Sequence, residues 1–143
     1  MAGQNSEPNM REDELGTGGD VRLSVPAAPE YLRLVRLTAA GLASRLGFTF
    51  DEVEDLRIAV DELCFHLLGD ADDEIPSGDP RTMDLVYSAG PDFITIRGST
   101  GLSGAVPEPS DLSEQILDAL VDEHDVSGSN GLVTFRLKKQ RES

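Results

Sequence analysis

Glu62 and His66 stand four residues apart in a strongly apolar-periodic stretch, which puts a carboxylate and an imidazole on one side of a helix. Such a pair can act as a general base and its proton partner. No serine, cysteine or metal ligand is obviously partnered with it, so by spacing alone it reads as a surface or half-buried pair. Three other patterns invite chemistry and each lacks a part. Residues 98–104 (GSTGLSG) follow a strand-like run as a phosphate loop would, but they hold no lysine and no helix opens directly after them. Neither a cationic side chain nor helix N–H groups would then meet a phosphate, and the segment reads as a connection. Asp70, Asp72 and Glu74 alternate as calcium ligands do, yet Ile75 occupies the place where the sharp turn of such a loop needs glycine. The single Cys64 cannot form an internal disulfide, and with two histidines it is too little for a structural zinc site.

The elements that must carry these residues are legible in the periodicity. Val21, Leu23 and Val25 alternate with Arg22 and Ser24, a short strand closed by Pro26 and Pro29. Leu32, Val35, Ala39, Leu42 and Leu46 recur at steps of three and four, predicting a first helix from about Pro29 to Leu46 that Gly47 ends. Thr49 and Glu52 have capping-box spacing at the start of a second helix. Its buried stripe is Val53, Leu56, Val60, Leu63 and Leu67, widened by Ala59, Cys64 and Leu68. An acidic loop follows over 69–80. Met83–Tyr87 and Phe93–Arg97 predict a hairpin turning at Gly90, Pro91 and Asp92. After a Gly/Ser/Pro connection over 98–110, a third helix is expected from Asp111 to His124, capped by Asp111 and Glu114, with Ile116, Leu117, Leu120 and Val121 inward. A last strand opens after Gly131 and carries Leu132, Phe135 and Leu137 before the basic Lys138, Lys139 and Arg141.

This order, β-α-α-β-β-α-β, predicts an α/β two-layer sandwich, a mixed and mostly antiparallel sheet covered on one face by three helices. Residues 1–20 read as a flexible acidic tail, 21–139 as the domain and 140–143 as a short tail. The chain has 143 residues, of which 38% are apolar, and a formal charge of −15. A core can form, and the acidity excludes direct nucleic-acid binding, which needs a basic surface. No run is long enough to span a membrane, no hydrophobic leader opens the chain, and a reduced cytoplasmic protein is expected. The charge is uneven: −4 over 1–20, +3 over 21–47, −10 over 48–80 and −4 over 81–143.

The stretch VEDLRIAVDELCFH, residues 53–66, resembles the N box of RsbW/SpoIIAB-type anti-sigma factors, proteins of the GHKL, histidine-kinase-like ATPase fold. VPAAPEYLRLVR at 25–36 is similar to that family's first helix, ILDALVDE at 116–123 to its third, and GLVTFR at 131–136 to its closing strand. The likeness spans about residues 20–139 and is nearest to the actinobacterial branch that includes the mycobacterial UsfX. It implies binding of an alternative sigma factor, release by a STAS-domain anti-anti-sigma antagonist, and homodimers as in other members. It also implies ATP and Mg²⁺ in the kinase members, with Glu62 at the position of the catalytic base.

Three departures alter that expectation. His66 stands where the family's magnesium-binding asparagine would be, no aspartate occurs from 93 to 110 to hold adenine, and Asp111–Ser113 lacks the glycines of the lid. An imidazole is a poor substitute for an oxygen ligand of Mg²⁺. The resemblance therefore implies an anti-sigma factor that binds without ATP or Mg²⁺, with Arg33 and Arg36 exposed on the first helix for partner contact. The alternatives are an ATP-dependent serine kinase acting on its antagonist, and an acidic adaptor on the same fold with an unrelated partner.

Overall fold

The structure is a computed structural model and describes residues 19–68, 81–101, 108–129 and 131–142. Its strands are β1 (Asp20–Pro26), β2 (Thr82–Ala89), β3 (Phe93–Gly101), β4 (Glu123–Ser129) and β5 (Leu132–Gln140). Its helices are α1 (Leu32–Arg45), α2 (Phe50–Leu68) and α3 (Asp111–Leu120), and a short 3₁₀ turn over Pro29–Tyr31 leads into α1. The sheet order is β1-β2-β3-β5-β4, with every neighbouring pair antiparallel. The two-layer sandwich is as expected, and the sheet is antiparallel throughout.

Strand alternation puts one set of side chains under the helices. Met83, Leu85 and Tyr87 of β2, Ile94 and Ile96 of β3, and Val133, Phe135 and Leu137 of β5 are all buried. The α2 stripe lies on them, with Leu56, Val60, Leu63 and Leu67 fully buried. Each such side chain stabilises the fold by about 1.5–3 kcal/mol relative to exposure. Gly98 faces Phe135 directly across β3 and β5, and a Cβ at Gly98 would lie 2.6 Å from the Phe135 ring. The missing side chain is what lets the ring lie flat on the sheet.

Local chemistry fixes the helix ends. Gly47 (φ 85°) closes α1 in a Schellman motif: its N–H donates to the Ser44 carbonyl and that of Phe48 to the Ala43 carbonyl. The α2 capping box forms as the spacing predicts. The Thr49 N–H donates to Glu52 Oε1 at 2.7 Å, and the Glu52 N–H to Thr49 Oγ1 at 3.1 Å. Glu52 Oε2 also accepts the Glu142 N–H at 2.7 Å, so the chain beyond β5 is tied to the start of α2.

Four expectations change. The third helix stops at Leu120 rather than reaching His124, because the chain turns extended at Val121 (φ −134°, ψ 165°). Its cap is Ser110, whose hydroxyl accepts the Ser113 N–H at 3.0 Å, and not Asp111 with Glu114. Residues 123–129 then form β4, an edge strand paired only with β5. Its sequence, EHDVSGS, has one large apolar residue, since little of an edge strand need be buried. Finally, residues 98–101, expected in a connection, continue β3.

Candidate functional site

α2 is the middle helix, and the residues of interest point from it to both sides. Toward α1, Asp61 Oδ1 accepts from Arg36 Nη1 at 2.7 Å, each side chain about one-third exposed. Toward α3, Glu62 Oε2 accepts the Ser113 hydroxyl in a short hydrogen bond. Ser113 itself is buried at 3% exposure, and Glu62 is half-buried. Glu62, the residue singled out as a base, is thus engaged by the first turn of α3. His66 lies one turn further along α2, and its side chain is outside the described residues, as is the acidic loop 69–80.

Arg33 is exposed on α1. Arg36 is not exposed as expected: its guanidinium is drawn onto α2 by Asp61. The outer surface of these two helices also carries apolar side chains, Leu34 and Leu37 on α1 with Ile58 and Phe65 on α2, each about half exposed. The helix stripes did not single out these four, although each falls off its buried stripe. Together with Arg33 they form a surface with both apolar area and positive charge.

A polar cleft of about 590 Å³ lies elsewhere, lined by Asp55, Asp118, Leu120, Lys139, Arg141 and Glu142 among others. Asp55 is seven residues before Glu62, about 10 Å along the helix. Since Ser113 meets Glu62 while Leu120 meets the Asp55 end, α3 runs antiparallel to α2 and the cleft sits away from Glu62. Lys139 is buried there and donates to the Leu120 carbonyl at 2.7 Å, satisfying the C-terminus of α3. Its inward direction was available from the β5 alternation Val133, Phe135, Leu137, Lys139. Asp118 and His124 meet at 2.6 Å on the rim.

Cys64 has no nucleophilic role in this arrangement. Burial first, then the charge of Asp61, push its thiol up to about 12, with Arg36 opposing. Among the described residues no three His, Cys, Asp or Glu side chains gather to hold a metal ion. No described helix is long and apolar enough to cross a membrane.

Against this geometry the chain was compared with known proteins. It is 48% identical over 59 residues to the serine-protein kinase RsbW of Bacillus subtilis, a stretch covering 41% of this chain and 37% of that protein. Identity is 54% over 44 residues with RsbW of Bacillus velezensis (31% and 28% covered), and 46% over 54 residues with RsbW of Halalkalibacterium halodurans (38% and 33%). This chain is similar to the RsbW serine-protein kinases. It spans about a third of the length of these curated relatives. The crystal structure of the RsbU and RsbW domains of Rv1364c from Mycobacterium tuberculosis shares the fold, with TM-score 0.63 at 14% identity over 85% of this chain and 32% of the other. No family model matches.

Proposed function

We propose that this RsbW-like chain is an anti-sigma factor that sequesters an alternative sigma factor, is released by a STAS-domain antagonist, and thereby regulates transcription in the cytoplasm by protein–protein binding. The observation that carries this reading is the similarity to RsbW proteins in a chain with the same two-layer fold. A placement on the actinobacterial branch, a role in stress response and a homodimeric state belong to the same proposal and rest on the quoted sequence pattern.

The partner surface in this reading is the outer side of α1 and α2. Leu34, Leu37, Ile58 and Phe65 supply apolar area, while Arg33 supplies a charge for an acidic patch on the partner. The acid of α2 would steer encounter with a basic, DNA-binding sigma factor. An ATP–Mg²⁺ centre of the kind implied by the kinase members does not fit the donors present. His66 offers nitrogen where a hard ion needs oxygen, and Glu62 already accepts a hydrogen bond from Ser113. No phosphoryl-transfer step is therefore assigned.

Co-purification of the tagged chain from its native cell should recover a sigma factor, and a STAS protein should compete it away. Recovery of neither would favour an adaptor with an unrelated partner. One observation supports the second reading, a serine kinase: the matched relatives bear that name. Calorimetry with ATP–Mg²⁺ separates the two. Micromolar binding that disappears in Glu62→Ala or His66→Ala would overturn the non-catalytic reading.

A further inference from the structure

The sheet face turned away from the helices is uncovered among the described residues, and the strand register places its side chains. One row crosses all five strands: Arg22, Val86, Arg97, Arg136 and Asp125. Three guanidiniums therefore stand within four neighbouring strands, a span of about 14 Å. The flanking rows read Ser24, Asp84, Ser99, Thr134 and Ser127 on one side and Asp20, Ser88, Thr95, Lys138 and Glu123 on the other, so Arg97 has the hydroxyls of Ser99 and Thr95 as its neighbours along β3. Arg136 is held by Glu123 at 3.0 Å. Arg22 and Arg97 are exposed and have no ion-pair partner among the described residues.

Arg97 and Arg136 are directly opposed, and like charges at such positions destabilise a sheet. In a chain of charge −15, abundant acid is available to neutralise an arginine, yet the centre of this face stays cationic. We propose that this row is a docking strip for a short acidic peptide segment of a protein partner. The planar guanidinium matches a carboxylate in a two-bond fork, and the flanking hydroxyls can meet the peptide's remaining polar groups. An extended segment presents alternate side chains about 7 Å apart to one face, within reach of arginines one and two strands apart.

The surroundings select this occupant over a nucleic acid or an anionic membrane. Asp84 in one flanking row, Asp20 and Glu123 in the other and Asp125 at the end of the central row surround the arginines, so a broad polyanion would meet repulsion outside the stretch around Arg97. The only apolar member of the row is Val86, and the nearby Phe93 ring already lies under Lys138 Nζ at 4.6 Å, so among the described residues this face offers bases no open aromatic ring. The strip is on the opposite layer from α1 and α2, so it stands whether or not the sigma-factor reading does.

The test uses the full chain and a fluorescein-labelled peptide of alternating Glu and Ser, read by anisotropy at low and physiological salt. Binding is expected to weaken at least tenfold in Arg97→Glu and at least threefold in Arg97→Gln, and to stay unchanged in Arg45→Gln. A peptide with Gln for Glu should not bind. The melting temperature of Arg97→Gln should equal or exceed that of the unaltered chain, because the opposed charges are relieved. Absence of binding by the unaltered chain, or full binding by Arg97→Glu, would overturn the proposal. So would tighter binding of a single-stranded oligonucleotide or a phosphatidylserine vesicle through the same arginines, or a dimer in sedimentation that Arg97→Glu dissolves.

Discussion

Glu52 does two jobs with one carboxylate. It closes the capping box of α2 through Oε1 and holds the Glu142 backbone through Oε2. Burial alone would push its pKa up, but the N–H groups of Glu142 and Thr49, the Thr49 hydroxyl and the Lys139 charge together bring it below its ordinary value of 4.5. A carboxyl that ionises more readily in the native state favours folding above the unfolded-chain value. That contribution is lost as pH falls through the lower native value. Urea unfolding should therefore show Glu52→Gln less stable than the unaltered chain at pH 7, with the gap narrowing below about pH 4. A gap independent of pH would assign the effect to geometry alone. At Cys64 the raised pKa and complete burial act together. The thiol should resist an aromatic disulfide reagent under native conditions and react fully in denaturant; rapid native labelling would show that α2 opens readily.

At the scale of elements, the β3–β5 contact depends on a residue with no side chain. Gly98 leaves the space that Phe135 fills, so Gly98→Ala forces the ring or the strands to move. The expected cost is about 1–3 kcal/mol by denaturant titration. Phe135→Leu should recover part of it in the double variant, a coupling that independent sites would not show. The same element scale explains why α3 ends before its apolar spacing does. Ile116, Leu117, Leu120 and Val121 keep a helical spacing up to the last of them, and only β5 tells the chain to turn. Once Val121 goes extended, Glu123 to Ser129 gain seven cross-strand partners on β5. Their own apolar pattern is too weak to announce a strand.

For the whole molecule, two arginines of one helix acquire different roles. Arg33 faces solvent, whereas Arg36 bridges α1 to α2 through Asp61. Charge reversal should separate them. Arg33→Glu should weaken capture of the partner with the melting temperature unchanged. Arg36→Glu should also lower stability, by up to about 1 kcal/mol, since it places like charges at a partly exposed contact. Thermal melts with a quantitative pull-down would check both. Equal stability loss in the two variants would mean that Arg33 also has a structural partner, and unchanged capture in Arg33→Glu would move the interface off α1.

By itself the sequence determined the two-layer plan, the α2 stripe, the Schellman end at Gly47 and the Thr49–Glu52 box. The two-layer plan rests on the order of the elements, and the others on spacing within one segment, where the helix or strand period dictates which side chains share a face. It also marked Glu62 and His66 as chemically able, because that too is a local spacing. Only the tertiary structure decided what Glu62 touches, since Ser113 is 51 positions away in the chain. It likewise joined Arg36 to Asp61 and made β4 a strand. Above all it assembled the arginine row, since Arg22, Arg97 and Arg136 come from three strands distant in sequence. Their alignment exists only when the hydrophobic faces of those strands lock the register against the helices.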